Sequence, residues 1–379
     1  MLRPPACAPS RAPLGPATSL LAASAFLLAA QAGLPGCSGD DPNPAAATSS
    51  SATSAGGAGG AGGTAGGEPG VGGSLVGPGG AGGGGAPACQ DTLSTPAGPE
   101  AVLDPAVADL YTVYDLGPVP GMPPTHLGGC VIKHDDPNTL LIAGDSENAN
   151  GAIYAIGVRR GPCGNIIGFE GTATQVVSTP YVDANLVYGP SNVLFYPSYP
   201  VNQIAQLLPG ATQPSHIIEG AAIGIIYGGS VSGFGFVPPG LTGAGQPRAL
   251  TWSNGDWYRL SMASNGQTFA LSNAVRGPKL ANGPGGFAYI PAGSPGFDVP
   301  SLIVAEWSTN TVATYDVDAQ GDPVVESRKD FFTEFPRPWG AYFEPATGDF
   351  LFLTWGAGTD RVYIVQGFAP PPPPPPPPQ

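Results

Sequence analysis

The sequence predicts an all-β fold, a β-propeller of five blades, and three observations carry that prediction. An apolar strand closed by an aromatic or acidic residue recurs five times at near-constant spacing along the chain. Each copy is preceded by a short strand that opens on a small residue, and in most copies a proline closes it. Glycine (59) and proline (47) punctuate the chain too densely to leave long helical stretches. Units of strand, turn and strand repeated at a fixed period cannot each bury their own apolar faces, and radial repetition of four-stranded sheets solves that problem.

The chain begins with a targeting pattern. Arg3 and Arg11 precede an apolar stretch, Ala17 to Gly33, and Leu34-Pro35-Gly36-Cys37 follows. Leu34, Gly36 and Cys37 resemble the lipobox of a bacterial lipoprotein, with Pro35 a departure from the small residue usual there. The resemblance implies a signal peptide over 1–36 and lipid attached to Cys37, and Ser38 implies sorting to the outer membrane. A lipoprotein at the outer membrane or cell surface is therefore expected. Residues 37–87 read as an Ala/Ser/Gly-rich tether, with 18 glycines in the 33 positions 55–87, too little apolar surface to offset the entropy of ordering. Fifty such residues reach roughly 35–42 Å. The folded domain is expected over 88–368, and 369–379 is a polyproline tail of nine prolines, about 28 Å long if extended.

The repeats lie within the domain. Asp145 ends Leu140–Gly144, Tyr199 ends Val193–Ser198, Trp252 ends Arg248–Thr251, Trp307 ends Leu302–Glu306 and Trp355 ends Phe350–Thr354. The intervals are 54, 53, 55 and 48 residues. The earlier strand of each copy is clearest at Gly233–Pro238, Gly286–Pro291 and Gly340–Pro345, and looser at Gly129–Ile132 and Asn185–Pro190. No copy exists one period before Asp145, so the strand Tyr111–Leu116 is expected to complete the last blade and close the ring, which removes sheet edges. Six blades is the alternative, should 91–127 and 161–185 hide a degenerate copy.

The runs Gly286-Phe-Ala-Tyr-Ile-Pro, Asp316-Val-Asp-Ala-Gln-Gly-Asp-Pro and Glu344-Pro-Ala-Thr-Gly-Asp-Phe-Leu-Phe resemble exported bacterial propellers of the NHL and gluconolactonase-like group. The resemblance spans about 120–368. It implies a divalent metal at the central axis, held by glutamate, asparagine and aspartate; Glu306, Asp145 and Asn148 are the candidates here, without a motif that matches residue by residue.

Composition narrows the function. Thirteen basic against 27 acidic residues leave no basic face for phosphates, so no nucleic-acid partner is expected. No nucleophile elbow, HExxH or phosphate-binding glycine loop is present. In an oxidising compartment Cys89, Cys130 and Cys163 allow one disulfide, with Cys130–Cys163, Cys89–Cys163 and Cys89–Cys130 as the alternatives. Asp316, Asp318 and Asp322 are weak calcium candidates, since position twelve of such a loop is Ser327 rather than glutamate. No other cofactor is expected. Tyr199, Trp252, Trp307 and Trp355 occupy equivalent turns, where they either wedge between blades or ring a mouth able to stack on ligands. The expectation is a monomeric, non-catalytic propeller, held to the membrane only by its lipid and displaying a face for an extracellular ligand, a carbohydrate or a protein. The alternative is a metal-dependent lactonase or hydrolase acting at the central channel, with Asp145 and Glu306 as channel acids.

Overall fold

Five antiparallel sheets follow one another around an axis in a computed structural model that describes residue 91 and residues 95–226 and 229–370. Cys37, the signal, the tether and the tail beyond Pro370 lie outside the described residues. The first two strands, β1 (Val102–Leu103) and β2 (Thr112–Gly117), belong to blades formed later in the chain. Blade 1 is β3 (Cys130–Lys133), β4 (Asp136–Gly144), β5 (Ala152–Arg160) and β6 (Ile166–Ser178). Blade 2 is β7 (Val187–Tyr188), β8 (Leu194–Ser198), β9 (Gln203–Leu207) and β10 (His216–Glu219). Blade 3 is β11 (Val231–Phe236), β12 (Pro247–Thr251), β13 (Asp256–Asn265) and β14 (Thr268–Lys279). Blade 4 is β15 (Pro284–Ile290), β16 (Ser301–Glu306), β17 (Thr311–Asp316) and β18 (Lys329–Glu334), and β19 (Pro338–Glu344), β20 (Asp349–Thr354) and β21 (Val362–Gln366) begin blade 5.

The ring closes as the sequence predicts: β2 pairs with β21, with Tyr114 opposite Ile364. Asp115 of β2 also pairs with Arg361 beside β21. One feature has no counterpart in the sequence reading. β1 adds a fifth strand to blade 4 by pairing with β18, so the N-terminal segment covers the outer edge of one blade before completing the next. Residues 91–127 and 161–185 hold this segment and the long outer strand β6, not a sixth blade.

The core is the set of interfaces between blades, and the period-2 geometry of a strand explains it. In β20, Phe350 and Phe352 join the cluster with blade 4, while Leu351 and Leu353 join the cluster with blade 1. In β4, Leu140 and Ile142 face blade 5 and Leu141 and Ala143 face blade 2. The second strands are buried on both sides, which is why they read as unbroken apolar runs. Cys130 sits in the cluster between blades 5 and 1 as a free, buried thiol, and burial pushes that thiol well above its ordinary range. This corrects the Cys130–Cys163 candidate. Of the three pairings only Cys89–Cys163 remains open; Cys89 lies outside the described residues, and the Asp91 carboxylate accepts from the Cys163 N–H at 2.8 Å.

Register aligns the inner strands column by column, and the axial position is Gly129, Asn185, Gly233, Gly286 and Gly340. A Cβ at Gly340 would come within 2.3 Å of the Gly128 carbonyl oxygen, and one at Gly286 within 2.6 Å of that of Ala184. Asn185 is the exception. Its Nδ2 donates to Phe287 O and Ala341 O, both at 3.1 Å, and its Oδ1 accepts from Phe234 N and Phe287 N, both at 3.2 Å. One side chain thus crosslinks the inner strands of blades 3, 4 and 5 and satisfies backbone groups that no ladder reaches.

Candidate active site

The turns between second and third strands lie at the same end of the ring as the connections that enter each inner strand, because an antiparallel meander reverses at every turn. The repeat aromatics therefore meet on one face. Ring centroids lie 6.3 Å apart for Tyr199 and Trp252, 6.0 Å for Trp252 and Trp307, and 5.9 Å for Trp307 and Trp355. All four are half-buried, and none belongs to the five interblade clusters. His126, whose ring is 4.6 Å from that of Trp355, extends the arc. Arg337 places its guanidinium carbon 4.3 Å from the Trp307 centroid.

Trp339, 1 % exposed, forms the floor. Its ring centroid lies 6.3 Å from that of Trp252 and 6.0 Å from that of Trp355. Trp339 precedes the axial glycine of blade 5, where the other blades carry Gly128, Ala184, Ser232 and Gly285. Those small residues leave space for the indole: a Cβ at Gly285 would lie 2.7 Å from its ring.

The Trp339 Nε1–H donates to Asp183 Oδ1 at 2.7 Å. Asp183 is fully buried, and its Oδ2 has no hydrogen-bond partner among the described residues. Three hydrogen bonds tie the turn of blade 1 to the connection that carries Asp183. Glu147 N donates to Val182 O at 3.0 Å, Ser146 Oγ to the same oxygen at 2.8 Å, and Tyr181 N to Asn148 O at 2.8 Å. Glu147 is held there with a left-handed backbone, φ 66°. Burial pushes the Glu147 carboxyl up to about 7. Burial and then the neighbouring Glu147 charge raise Asp183 well above the usual carboxylate range. Asp183 therefore holds its proton to higher pH than an ordinary carboxylate, and Glu147 exchanges its own near 7.

Asp360, buried behind the wall, fixes two of its parts. Its Oδ2 accepts from His126 N at 2.5 Å and Gly356 N at 3.0 Å, and its Oδ1 from Thr354 Oγ1 at 3.0 Å.

The metal donors implied by the gluconolactonase resemblance do not fit. Glu306 is fully buried and accepts from Arg328, Tyr315, Thr311 and Asn282. Asn148 spends its amide on Ser146 O at 3.0 Å. Asp145 is half-buried with φ 48° at the start of the same turn. The axial Asn185 is committed to backbone. Among the described residues no three His, Cys, Asp or Glu side chains converge as a ligand set. The calcium candidates lie at the opposite end of the ring, in the turn after β17. Asp322 there accepts from Arg248 Nε at 2.8 Å and Trp257 Nε1 at 2.9 Å, and Asp318 caps its own turn through Gln320 N and Asp322 N.

Asp183, Glu147 and Trp339 were not among the candidates read from the sequence. The repeat columns carry a signal that finds two of them. Two residues before the axis stand Leu127, Asp183, Val231, Pro284 and Pro338, so one carboxylate occupies an otherwise apolar column. Trp339 is the single large residue in a column of small ones. Glu147 carries no such mark.

No protein-family profile matches the chain, and no curated protein matches it. Solved structures do. A gluconolactonase from Xanthomonas campestris is similar at 10 % identity and a TM-score of 0.41, over 74 % of this chain and 99 % of that one. An aldose sugar dehydrogenase from Streptomyces coelicolor is similar at 14 % and 0.39, over 73 % and 95 %. A luciferin-regenerating enzyme is similar at 9 % and 0.41, over 73 % and 92 %. Those likenesses concern the fold alone; the mouth of this chain, for its part, holds two carboxyls raised by burial, Glu147 and Asp183, that the sequence reading did not find. The expectation of a non-catalytic scaffold rested on finding no such constellation, and it is corrected here.

Proposed function

We propose that the protein is a hydrolase that opens a small ester or lactone at the mouth of the propeller. The observation that carries this reading is the Asp183–Glu147 carboxyl pair above the axial plug, with Trp339 donating to one Asp183 oxygen. The aromatic wall supplies flat apolar surface against which a ring-shaped substrate can stack.

The chemistry follows from the two raised carboxyls. Glu147, ionised above about pH 7, takes a proton from a water that attacks the substrate carbonyl carbon. Asp183, fully buried and kept protonated by burial, does not touch the substrate; it acts through Glu147, as a positioning carboxyl behind the base. The acyl C–O bond then breaks, and the leaving alkoxide recovers the proton from Glu147. One water is consumed, and one carboxylic acid and one hydroxyl are formed. No step runs through a metal, because the donor set does not fit one.

The lipobox-like Leu34-Pro35-Gly36-Cys37 supports a location at the cell envelope, with the tether carrying the mouth clear of the membrane. Replacement of Cys37 by Ser is expected to move the protein from the detergent phase to the aqueous phase. A wild-type protein that stays aqueous contradicts the lipoprotein reading.

Hydrolysis of glucono-δ-lactone and of a chromogenic acetate ester tests the chemical reading. Turnover by the full chain, lost in both Asp183→Asn and Glu147→Gln while the fold survives, supports it. Turnover unchanged in both variants overturns the assignment.

A further inference from the structure

The outer wall of the ring carries a crevice at the seam where the chain closes on itself. β2, the outermost strand of blade 5, and β6, the outermost strand of blade 1, border a space of about 260 Å³, open on one side. Two β-bulges shape it. Asp115 lies opposite Tyr363 and Gly117 opposite Val362, which leaves Leu116 as an extra residue in β2. Arg159 lies opposite Gly168 and Arg160 opposite Ile166, which leaves Ile167 as an extra residue in β6. In a regular strand only alternate residues face one side. Here Tyr114, Asp115 and Leu116 all reach the crevice, and so do Ile167, Gly168 and Phe169; bulges re-aim side chains in this way. Pro120 O accepts from Ala173 N at 2.7 Å, which ties the chain leaving β2 to β6.

The floor is apolar and fixed in advance, because Tyr114, Leu116 and Phe169 also pack against the cluster between blades 5 and 1. The two charges of the crevice are not equivalent. Asp115 is spent: its Oδ1 accepts from Gly117 N at 2.7 Å and its Oδ2 pairs with Arg361. Arg159 lines the same space, is exposed, and has no hydrogen bond or ion pair among the described residues. Gly168 opposite it leaves room for the guanidinium, since a Cβ there would lie 2.9 Å from Nη2. In a chain of net charge −14, this crevice offers one uncommitted cation beside aromatic and aliphatic side chains. A guanidinium fork matches a carboxylate through two parallel hydrogen bonds.

We infer that this crevice binds a small aromatic carboxylate, with the carboxylate on Arg159 and the ring against Tyr114, Leu116 and Phe169. The space is just under the roughly 300–1,000 Å³ of ordinary small-molecule sites, which suits a single ring. The two aromatic side chains supply faces or edges for it to pack on. The claim does not depend on the hydrolase reading, and the crevice shares no residue with the mouth.

The test is titration calorimetry on the full chain with benzoate and with benzamide, its neutral isostere. Benzoate should bind about tenfold tighter or more, the discrimination expected of hydrogen bonds to a charged group. Arg159→Gln removes no hydrogen bond or ion pair among the described residues, so its melting temperature should match wild type. Its affinity for benzoate should fall to the level of benzamide. Arg159→Lys keeps the charge without the fork, and its affinity should lie between the two. Acetate carries the charge without the ring and should displace benzoate about tenfold less well than benzoate itself. Equal binding of benzoate and benzamide, or binding of neither, overturns the proposal. Benzoate affinity unchanged in Arg159→Gln, or acetate as effective as benzoate, overturns it as well.

Discussion

Trp339 and Asp183 lie 156 residues apart in the chain and are joined at 2.7 Å by the indole N–H and Oδ1. The bond spans the axis from blade 5 to the connection entering blade 2, so the site exists only when the ring is closed. Closure depends on β2, which comes before all five inner strands in the chain and pairs with the last strand of the last blade.

Removal of Tyr111–Leu116 is therefore expected to act far from the deletion. Residues 338–366 should become sensitive to protease, and the mouth should lose its tryptophan fluorescence signature together with them. Protection of 338–366 equal to wild type in limited proteolysis would show that the ring holds without β2.

Asn185→Ala should destabilise more than the loss of one polar side chain suggests. It strands Phe234 N–H and Phe287 N–H in the interior, and each buried unpaired donor costs about 1–3 kcal/mol. Thermal melting should show one of the largest drops of any single polar substitution in the ring. A change within the scatter of surface variants would mean that the axial crosslink carries no stability.

The rim tryptophans should behave differently from core tryptophan. Trp257 is fully buried between blades 3 and 4, and Trp257→Ala should cost about 3–5 kcal/mol. Alanine at Trp252 or Trp355 should cost clearly less, since these rings are half-exposed and lie outside the interblade clusters. Equal losses at all three positions in denaturant melts would identify the rim rings as packing wedges.

Stability should fall as pH rises from the ordinary carboxylate range to about 7. Burial raises Glu147 and Asp349 to about 7 in the folded state, so the folded protein binds more protons than the unfolded chain across that window. The stabilisation from protonation is complete below the unfolded values and is lost as pH climbs through the folded ones. Asp183, raised by burial and then by the Glu147 charge, adds to the effect at the mouth. Asp349 lies at the opposite end of the ring, bonded to Asn165 at 3.0 Å. Glu147→Gln and Asp349→Asn should each flatten the dependence of melting temperature on pH, and only the first should alter chemistry at the mouth.

Much of the fold was legible in the sequence because it is written in repetition. The second strands are buried on both faces and read as apolar runs; the axis is too crowded for a Cβ and reads as glycine; and the five copies fix the blade number. The aromatic arc was legible for the same reason. The rest was hidden by two physical circumstances. β1 is two residues long and pairs with a strand 231 positions away at its nearest side-chain contact, Thr333 Oγ1 to Val102 O, which no local pattern marks. Asp183 and Trp339 are exceptions to the repeat, and an exception becomes visible only after register has aligned the columns. Glu147 sits in a turn of Ser, Glu, Asn and Gly, where a carboxylate is ordinary, and only the fold brings it to Asp183.

The central claim is that Glu147 acts as base at the mouth with the buried Asp183 positioned behind it, and the pH–rate profile of ester or lactone hydrolysis tests it most directly. The account predicts kcat/KM rising with pH through about 7 as Glu147 ionises, and loss of that limb in Glu147→Gln. Asp183→Asn should lower the plateau while leaving the fold intact. Hydrolysis no faster than buffer across pH 5–9 would contradict it.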